Sequence, residues 1–314
     1  MQQFRFLCLI ALLFSVACKQ KDSAKQLEPD ATHASLDDQL PYTRAERIYA
    51  RTEGTALTMD VFTPIKKNIH RAIVVFISEG WYSSHEKIEY NIPIYVQPLI
   101  DAGYTVCAVI HGSNPKFALN ENVQHASWAM QFVRSHAAEL GIDPEKIGAT
   151  GDSAGGHLSL MMACSDKETS DSISCKANAV VAFFPPTDFF NWGEKGKRMF
   201  GIHPKVKLLG AFRFTELNPE TNCYEPITQN ARIDSIVRSV SPWYLVTKNT
   251  SPCMIVYGSK DSFIPVQQSI AMHQQLKKFE VPTELVVEEG GEHDEVTIKH
   301  QFETAMRWFS LYLK

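Results

Sequence analysis

Long apolar stretches are scarce in this chain. Beyond its N-terminus no run approaches the roughly 20 residues that a membrane-spanning helix requires. An excess of basic charge is missing too: 31 Lys and Arg stand against 35 Asp and Glu, a formal net charge of −4. Nucleic-acid binding would ask for a basic surface, so none is expected. None of the seven cysteines has zinc-finger spacing. Neither His-Glu-x-x-His nor Gly-x-Gly-x-x-Gly occurs, so the chemistry calls for no metal or cofactor. Internal repeats are absent as well. What remains is ordinary: 44% hydrophobic and 21% charged residues, with 16 Gly and 16 Pro in 314 positions, which disfavours disorder, collagen and coiled coil.

Residues 1–17 read as a secretory signal peptide, with Arg5 ahead of the apolar run Phe6–Ala17, which is too short to span a bilayer. Ser15-Val16-Ala17-Cys18 resembles a bacterial lipoprotein box, although Ser15 departs from the usual Leu. That resemblance implies acylation of Cys18 and an exported protein facing the periplasm or the cell surface, held to the membrane by its lipid alone. The alternative is a plain signal peptide with an incidental Cys. Residues 18–41 are polar and read as a flexible spacer, which leaves 42–314 as one domain. Within it Cys107 sits in an apolar strand-like run. Cys164 and Cys175 flank a polar loop and could bridge in an oxidising compartment.

Strand and helix patterns alternate along the domain. Arg47–Tyr49 and Ala56–Phe62 flank Glu53-Gly54 as an opening hairpin. Ala72–Ile77 and Tyr104–Ile110 are continuous apolar runs, as expected of strands buried on both faces. Lys146–Thr150, Ala179–Phe184, Cys253–Tyr257 and Glu284–Val287 supply further strands. Helical spacing covers Val123–Leu140, with Gly141 as a stop signal, and also Ser153–Ala163, Val266–Lys278 and Gln301–Leu313. Ile88–Ala102 is helical in part, with Pro93 and Pro98 at its start or breaking it. Such alternation predicts an α/β fold with a mostly parallel sheet covered on both faces.

Gly151-Asp152-Ser153-Ala154-Gly155 lies between a strand and a helix, the setting of a nucleophile elbow. A Ser hydroxyl is a weak nucleophile, so a His must take its proton and a carboxylate must orient that His. Of His203, His273, His293 and His300, only His293 follows the last strand directly, in Glu288-Glu289-Gly290-Gly291-Glu292-His293-Asp294. That is the carboxyl edge of the sheet, where open α/β sheets bind ligands. His157 rides down the helix after Ser153 and reads as a packing residue. Two carboxylates compete for the orienting role: Asp261, one strand before the His loop and better placed, and Asp188, in Phe-Phe-Pro-Pro-Thr-Asp. The five carboxylates around His293 either favour a charged imidazole, which predicts activity under mildly alkaline conditions, or form a solvated acidic loop screened by salt.

The run GIDPEKIGATGDSAGGHLSL (141–160), together with FFPPTD, GSKDSFIPVQQS and GGEHD, resembles the α/β-hydrolase superfamily. The likeness is to the small carboxylesterases related to acetylxylan and feruloyl esterases, over about residues 45–314. It implies an α/β-hydrolase fold and a Ser153–His293–Asp261 triad. It also implies a small-molecule or carbohydrate ester as substrate, with a serine peptidase or a non-catalytic tethered binding protein as rival readings. Where that family carries His-Gly-Gly-Gly-Trp, this chain has Ile77-Ser78-Glu79-Gly80-Trp81. The oxyanion is therefore expected on the backbone N–H of Ala154 and on that of Glu79 or Gly80. The Glu79 carboxylate either points to solvent or bonds a neighbouring loop, or it faces the pocket rim and favours neutral or cationic esters. The chain leaves little for a large lid, although residues 191–228 could form a small cap.

Overall fold

The computed structural model describes residues 40–165, 173–200 and 210–314. The expectations for the signal peptide, Cys18, nearly all of the spacer and His203 lie outside the described residues.

The strands are β1 (Tyr42–Thr52), β2 (Thr55–Pro64), β3 (Ala72–Phe76), β4 (Thr105–Val109), β5 (Ile147–Asp152), β6 (Ala179–Phe183), β7 (Thr215–Asn218), β8 (Cys223–Pro226), β9 (Cys253–Gly258) and β10 (Thr283–Glu288). Eight of them form one sheet in the order β1-β2-β4-β3-β5-β6-β9-β10, while β7 and β8 make a separate ribbon. β2 runs antiparallel to β1 and β4, and the pairs from β4 to β10 are parallel. β3, β4 and β6 are buried at every residue, which explains their unbroken apolar sequences.

The helices are α1 (His85–Asn91), α2 (Gln97–Ala102), α3 (Leu119–Ser135), α4 (Ala137–Leu140), α5 (Ala154–Ala163), α6 (Asn230–Ser239), α7 (Gln267–Lys278) and α8 (Glu295–Tyr312). Strand residues alternate between two cores. Val74 and Phe76 face Met130 of α3, Leu158 of α5 and Met272 of α7. Ile73 and Val75 face Ile88 of α1, Leu99 of α2 and Phe309 of α8. The period of two along each strand thus dictates a sheet covered on both sides.

Pro93 and Pro98 do not break their helical stretch. A π-helical turn, Ile92–Val96, joins α1 to α2, with each Pro near the start of a segment where its missing N–H costs little. α8 begins six residues before the expected Gln301, because Asp294 caps it by accepting from Thr297 N. The bridge that the sequence left open between Cys164 and Cys175 is not formed: Cys164 Sγ faces Pro242 O at 3.8 Å and Cys175 Sγ faces Ser165 Oγ at 2.9 Å.

β3 is the first of the parallel strands, and the chain leaves it to build β4 on one side and then β5 on the other. The connection from β3 puts α1 and α2 on one face, and that from β4 puts α3 on the other. A crevice therefore opens beyond the carboxyl ends of β3 and β5, where such a reversal of strand order creates ligand sites.

Candidate active site

Ser153 sits on the turn from β5 into α5 with φ +52° and ψ −118°, a conformation that strains any residue with a Cβ. Its N–H is held by Phe183 O at 2.9 Å. The flanking glycines are there for space: a Cβ on Gly155 would collide with Phe76 O, and one on Gly151 would come within 2.7–3.0 Å of the Gly155 backbone. α5 can therefore start directly against β3, with its positive end beside Ser153 and the Ala154 N–H among its unpaired first-turn amides.

Asp261 and His293 come from the loops after β9 and β10, which touch backbone to backbone. Lys260 N donates to Gly291 O at 2.8 Å, and a Cβ on Gly258 would strike that same carbonyl group. This contact brings His293 Nδ1 to 2.8 Å from Asp261 Oδ2. The other oxygen, Oδ1, accepts from Phe263 N and Ile264 N at 2.8 and 2.9 Å, so the carboxylate is fixed. A carboxylate on Nδ1 puts the neutral ring's proton there and leaves Nε2 with the lone pair. Phe184 and Phe263 flank the imidazole, with ring centroids 4.2 and 5.1 Å away.

Asp188 is not brought to His293. It accepts from Phe190 N and Asn191 Nδ2, closing its own turn. His273 bonds Thr283 Oγ1, and His300 pairs with Glu288. Three carboxylates of the acidic loop have partners of their own. Glu288 is taken by His300 and Gln301, Glu295 by Tyr90 and Lys299, and Asp294 by the start of α8.

Ser153 and His293 line one cleft of about 950 Å³, together with Ser78, Glu79, Gly80 and Asp152. Its outer wall is α1, through Glu86, Lys87 and Tyr90, and the Tyr90 hydroxyl reaches Glu295 Oε2 at 2.6 Å. Among the described residues none of 191–228 lines it, and 201–209 lie outside the described residues; the segment after β3 supplies the wall. Glu79 does stand at the rim, but its carboxylate pairs with Lys87 Nζ, and the charge expected to select substrates is matched. Its backbone requires a further correction. Glu79 N–H donates to Tyr82 O at 2.9 Å and Tyr82 N–H returns the bond at 3.0 Å, so the Glu79 amide is already used. Between them Gly80 and Trp81 both take positive φ, +57° and +61°, as a type I′ turn demands. That leaves the Gly80 amide as the candidate donor on this side.

Asp152, within the elbow motif, carries no signal of its own in the sequence. It accepts from Tyr95 O–H at 3.0 Å, and burial raises its carboxyl above the usual range while the Tyr95 bond works against that rise. Ser78 Oγ lies 2.7 Å from His111 Nε2, whose Nδ1 faces Gly112 O at 2.8 Å. Burial lowers His111 to about 4. No periodicity marks such buried polar pairs in advance. Among the described residues no group of three or more His, Cys, Asp or Glu is arranged to hold a metal ion.

The BD-FAE family profile matches residues 59–276, which include Ser153 and Asp261 and stop short of His293. Relatives include the probable carboxylic ester hydrolase LipM of Mycobacterium tuberculosis, 25% identical over 57% of this chain and 39% of its own length. Another is the probable isoprenylcysteine alpha-carbonyl methylesterase ICMEL1 of Arabidopsis thaliana, 21% identical over 82% and 52%. The chain thus spans about half or less of the length of these curated relatives. Among solved structures, a truncated carbohydrate esterase from gut microbiota superposes with a TM-score of 0.71 at 22% identity, covering 87% of this chain and 97% of that one. Esterase Est2 of Thermogutta terrifontis gives 0.65 at 24% identity, covering 85% and 91%. These likenesses give the α/β-hydrolase fold.

Proposed function

The chain belongs to the BD-FAE family, within the α/β-hydrolase carboxylesterases, and on that premise we propose that it is a serine carboxylic ester hydrolase acting through Ser153, His293 and Asp261. The observation that carries this is the 2.8 Å His293–Asp261 bond at the mouth of the cleft that also holds the strained Ser153. Ser153 Oγ attacks the ester carbonyl carbon while His293 Nε2 takes the hydroxyl proton. Asp261 holds the imidazole through Nδ1 and balances the imidazolium that forms. The carbonyl oxygen becomes an oxyanion and takes hydrogen bonds from the Ala154 and Gly80 amides, the first at the positive end of α5. His293 passes its proton to the departing alkoxide oxygen, breaking the ester C–O bond. Water, deprotonated by the same Nε2, then releases the acid from Ser153.

For substrate we infer a short-acyl ester, with a carbohydrate alcohol as the leaving group. Tyr82, Tyr90 and Phe263 are exposed around the cleft and offer flat apolar faces, and Glu86 adds an acceptor for hydroxyl groups. Labelling by a fluorophosphonate probe tests the nucleophile: one adduct at Ser153, lost in Ser153→Ala together with hydrolysis of acetyl and butyryl esters. An intact protein that hydrolyses such esters without labelling at Ser153, or that prefers aminoacyl amides, overturns the reading.

A further inference from the structure

Trp81 and His157 meet behind the reaction centre, and neither lines the cleft. Trp81 is 1% exposed and His157 fully buried. Trp81 Nε1–H donates to His157 Nδ1 at 3.3 Å, with the rings edge to face at 5.6 Å. On its far side the imidazole bonds Val240 O through Nε2 at 2.7 Å. A carbonyl only accepts, so Nε2 carries the proton and Nδ1 keeps the lone pair that Trp81 needs. Burial lowers His157 to about 4, which holds the ring neutral and this tautomer in place.

Each partner is tied to one half of the proposed oxyanion site. Trp81 follows Gly80 in the type I′ turn, at φ +61°, where a bulky aromatic is an outlier that only surrounding contacts can hold. Asn114 clamps that turn from the loop after β4, through Nδ2 to Gly80 O at 2.7 Å and N–H to Trp81 O at 3.1 Å. His157 belongs to the first turn of α5, where its backbone N–H donates to Ser153 O at 3.0 Å. The two amides reach one oxyanion only if turn and helix keep a fixed spacing, since donors must stand about 2.7–3.1 Å from the same oxygen.

We propose that the Trp81–His157 hydrogen bond is the strut that sets this spacing, making both side chains positioning residues for the Gly80 and Ala154 amides. The inference rests on the oxyanion reading above. A role in packing alone would leave catalysis following stability, because Phe189 also sits against both rings, at 5.8 and 5.4 Å.

Two substitutions at one position separate these roles. In His157→Asn the side-chain oxygen falls near the place of Nδ1 and still accepts from Trp81. In His157→Gln the amide reaches toward Val240 and leaves the indole N–H without its acceptor. Trp81→Phe removes the donor while keeping most of the ring. Trp81→Phe and His157→Gln are each expected to lower kcat on an acetyl ester about 10- to 100-fold, with KM within about twofold. A boronic-acid transition-state analogue should weaken by the same factor as kcat. His157→Asn should recover most of the loss, and the Trp81→Phe/His157→Gln pair should be no worse than the poorer single variant. The strut is overturned if Trp81→Phe and His157→Gln stay within about twofold of wild-type kcat, if His157→Asn falls as low as His157→Gln, or if kcat simply follows Tm. A wild-type enzyme without Ser153-dependent hydrolysis sinks the hydrolase reading and the strut together. Normal wild-type activity with unaffected variants sinks the strut alone.

Discussion

At Ser153 the backbone stores strain where the proposed chemistry takes place. A non-glycine residue at φ +52° costs on the order of 1–3 kcal/mol, and Gly escapes most of that. Ser153→Gly is therefore expected to abolish hydrolysis while raising unfolding stability by about 1 kcal/mol. Ser153→Ala, which keeps the Cβ, should abolish hydrolysis with stability within about 0.5 kcal/mol of wild type. Urea midpoints of the three proteins check this, and a less stable Gly variant contradicts it. The elbow itself was legible in the sequence, because Gly-x-Ser-x-Gly records how closely α5 approaches β3. The roles of neighbouring amides were not. Whether Glu79 or Gly80 has a spare N–H depends on Tyr82 O, which a one-dimensional pattern does not locate.

Among the elements, α3 shows how a helix is tied to loops that sequence periodicity ignores. Arg134 near its end donates Nε to Pro144 O at 3.0 Å and one terminal nitrogen to Lys176 O and Asn178 Oδ1 at 2.8 and 3.0 Å, while the other reaches Ser174 O. A planar fork meets these acceptors at once, and a Lys ammonium cannot. Arg134→Lys is expected to lower unfolding stability by about 2 kcal/mol and to leave kcat/KM unchanged, since Arg134 does not line the cleft. An unchanged urea midpoint would count against the clamp. Strand and helix positions were largely readable from their periods of two and 3.6. Their ends were less so: β1 runs over Tyr42–Thr52, well beyond the expected Arg47–Tyr49. It pairs with β2 along its length through main-chain bonds that side-chain type does not report.

Over the whole molecule, buried neutral histidines link stability to pH. His111, His125 and His157 are each at most 2% exposed, and burial lowers each to about 4. The unfolded chain binds protons at these side chains near pH 6.5, the folded chain only near 4. Their contribution is therefore complete above about pH 6.5, erodes as pH falls, and is gone below about 4. Each shift amounts to about 3 kcal/mol, so the loss over that window is several kcal/mol in total. Asp143, Glu288 and Glu295, held below the usual carboxylate range by hydrogen bonds, lose their contributions only at still lower pH. Urea midpoints should decline steadily from pH 6.5 to 4, and a flat profile between pH 7 and 5 would refute this.

The amino-acid sequence by itself determined the layered α/β architecture, the place of Ser153 and the loop of His293. Apolar period, glycine spacing and strand ends are local properties, written in neighbouring residues. The sequence also put Asp261 ahead of Asp188, but only the tertiary structure decided how it meets the imidazole, because loops after β9 and β10 touch through Gly258 and Gly291. The same holds for α1 as the wall of the cleft and for the bond between Trp81 and His157, 76 positions apart. Each of these turns on which donor meets which acceptor across the sheet, and that pairing exists only once the strands have taken their order.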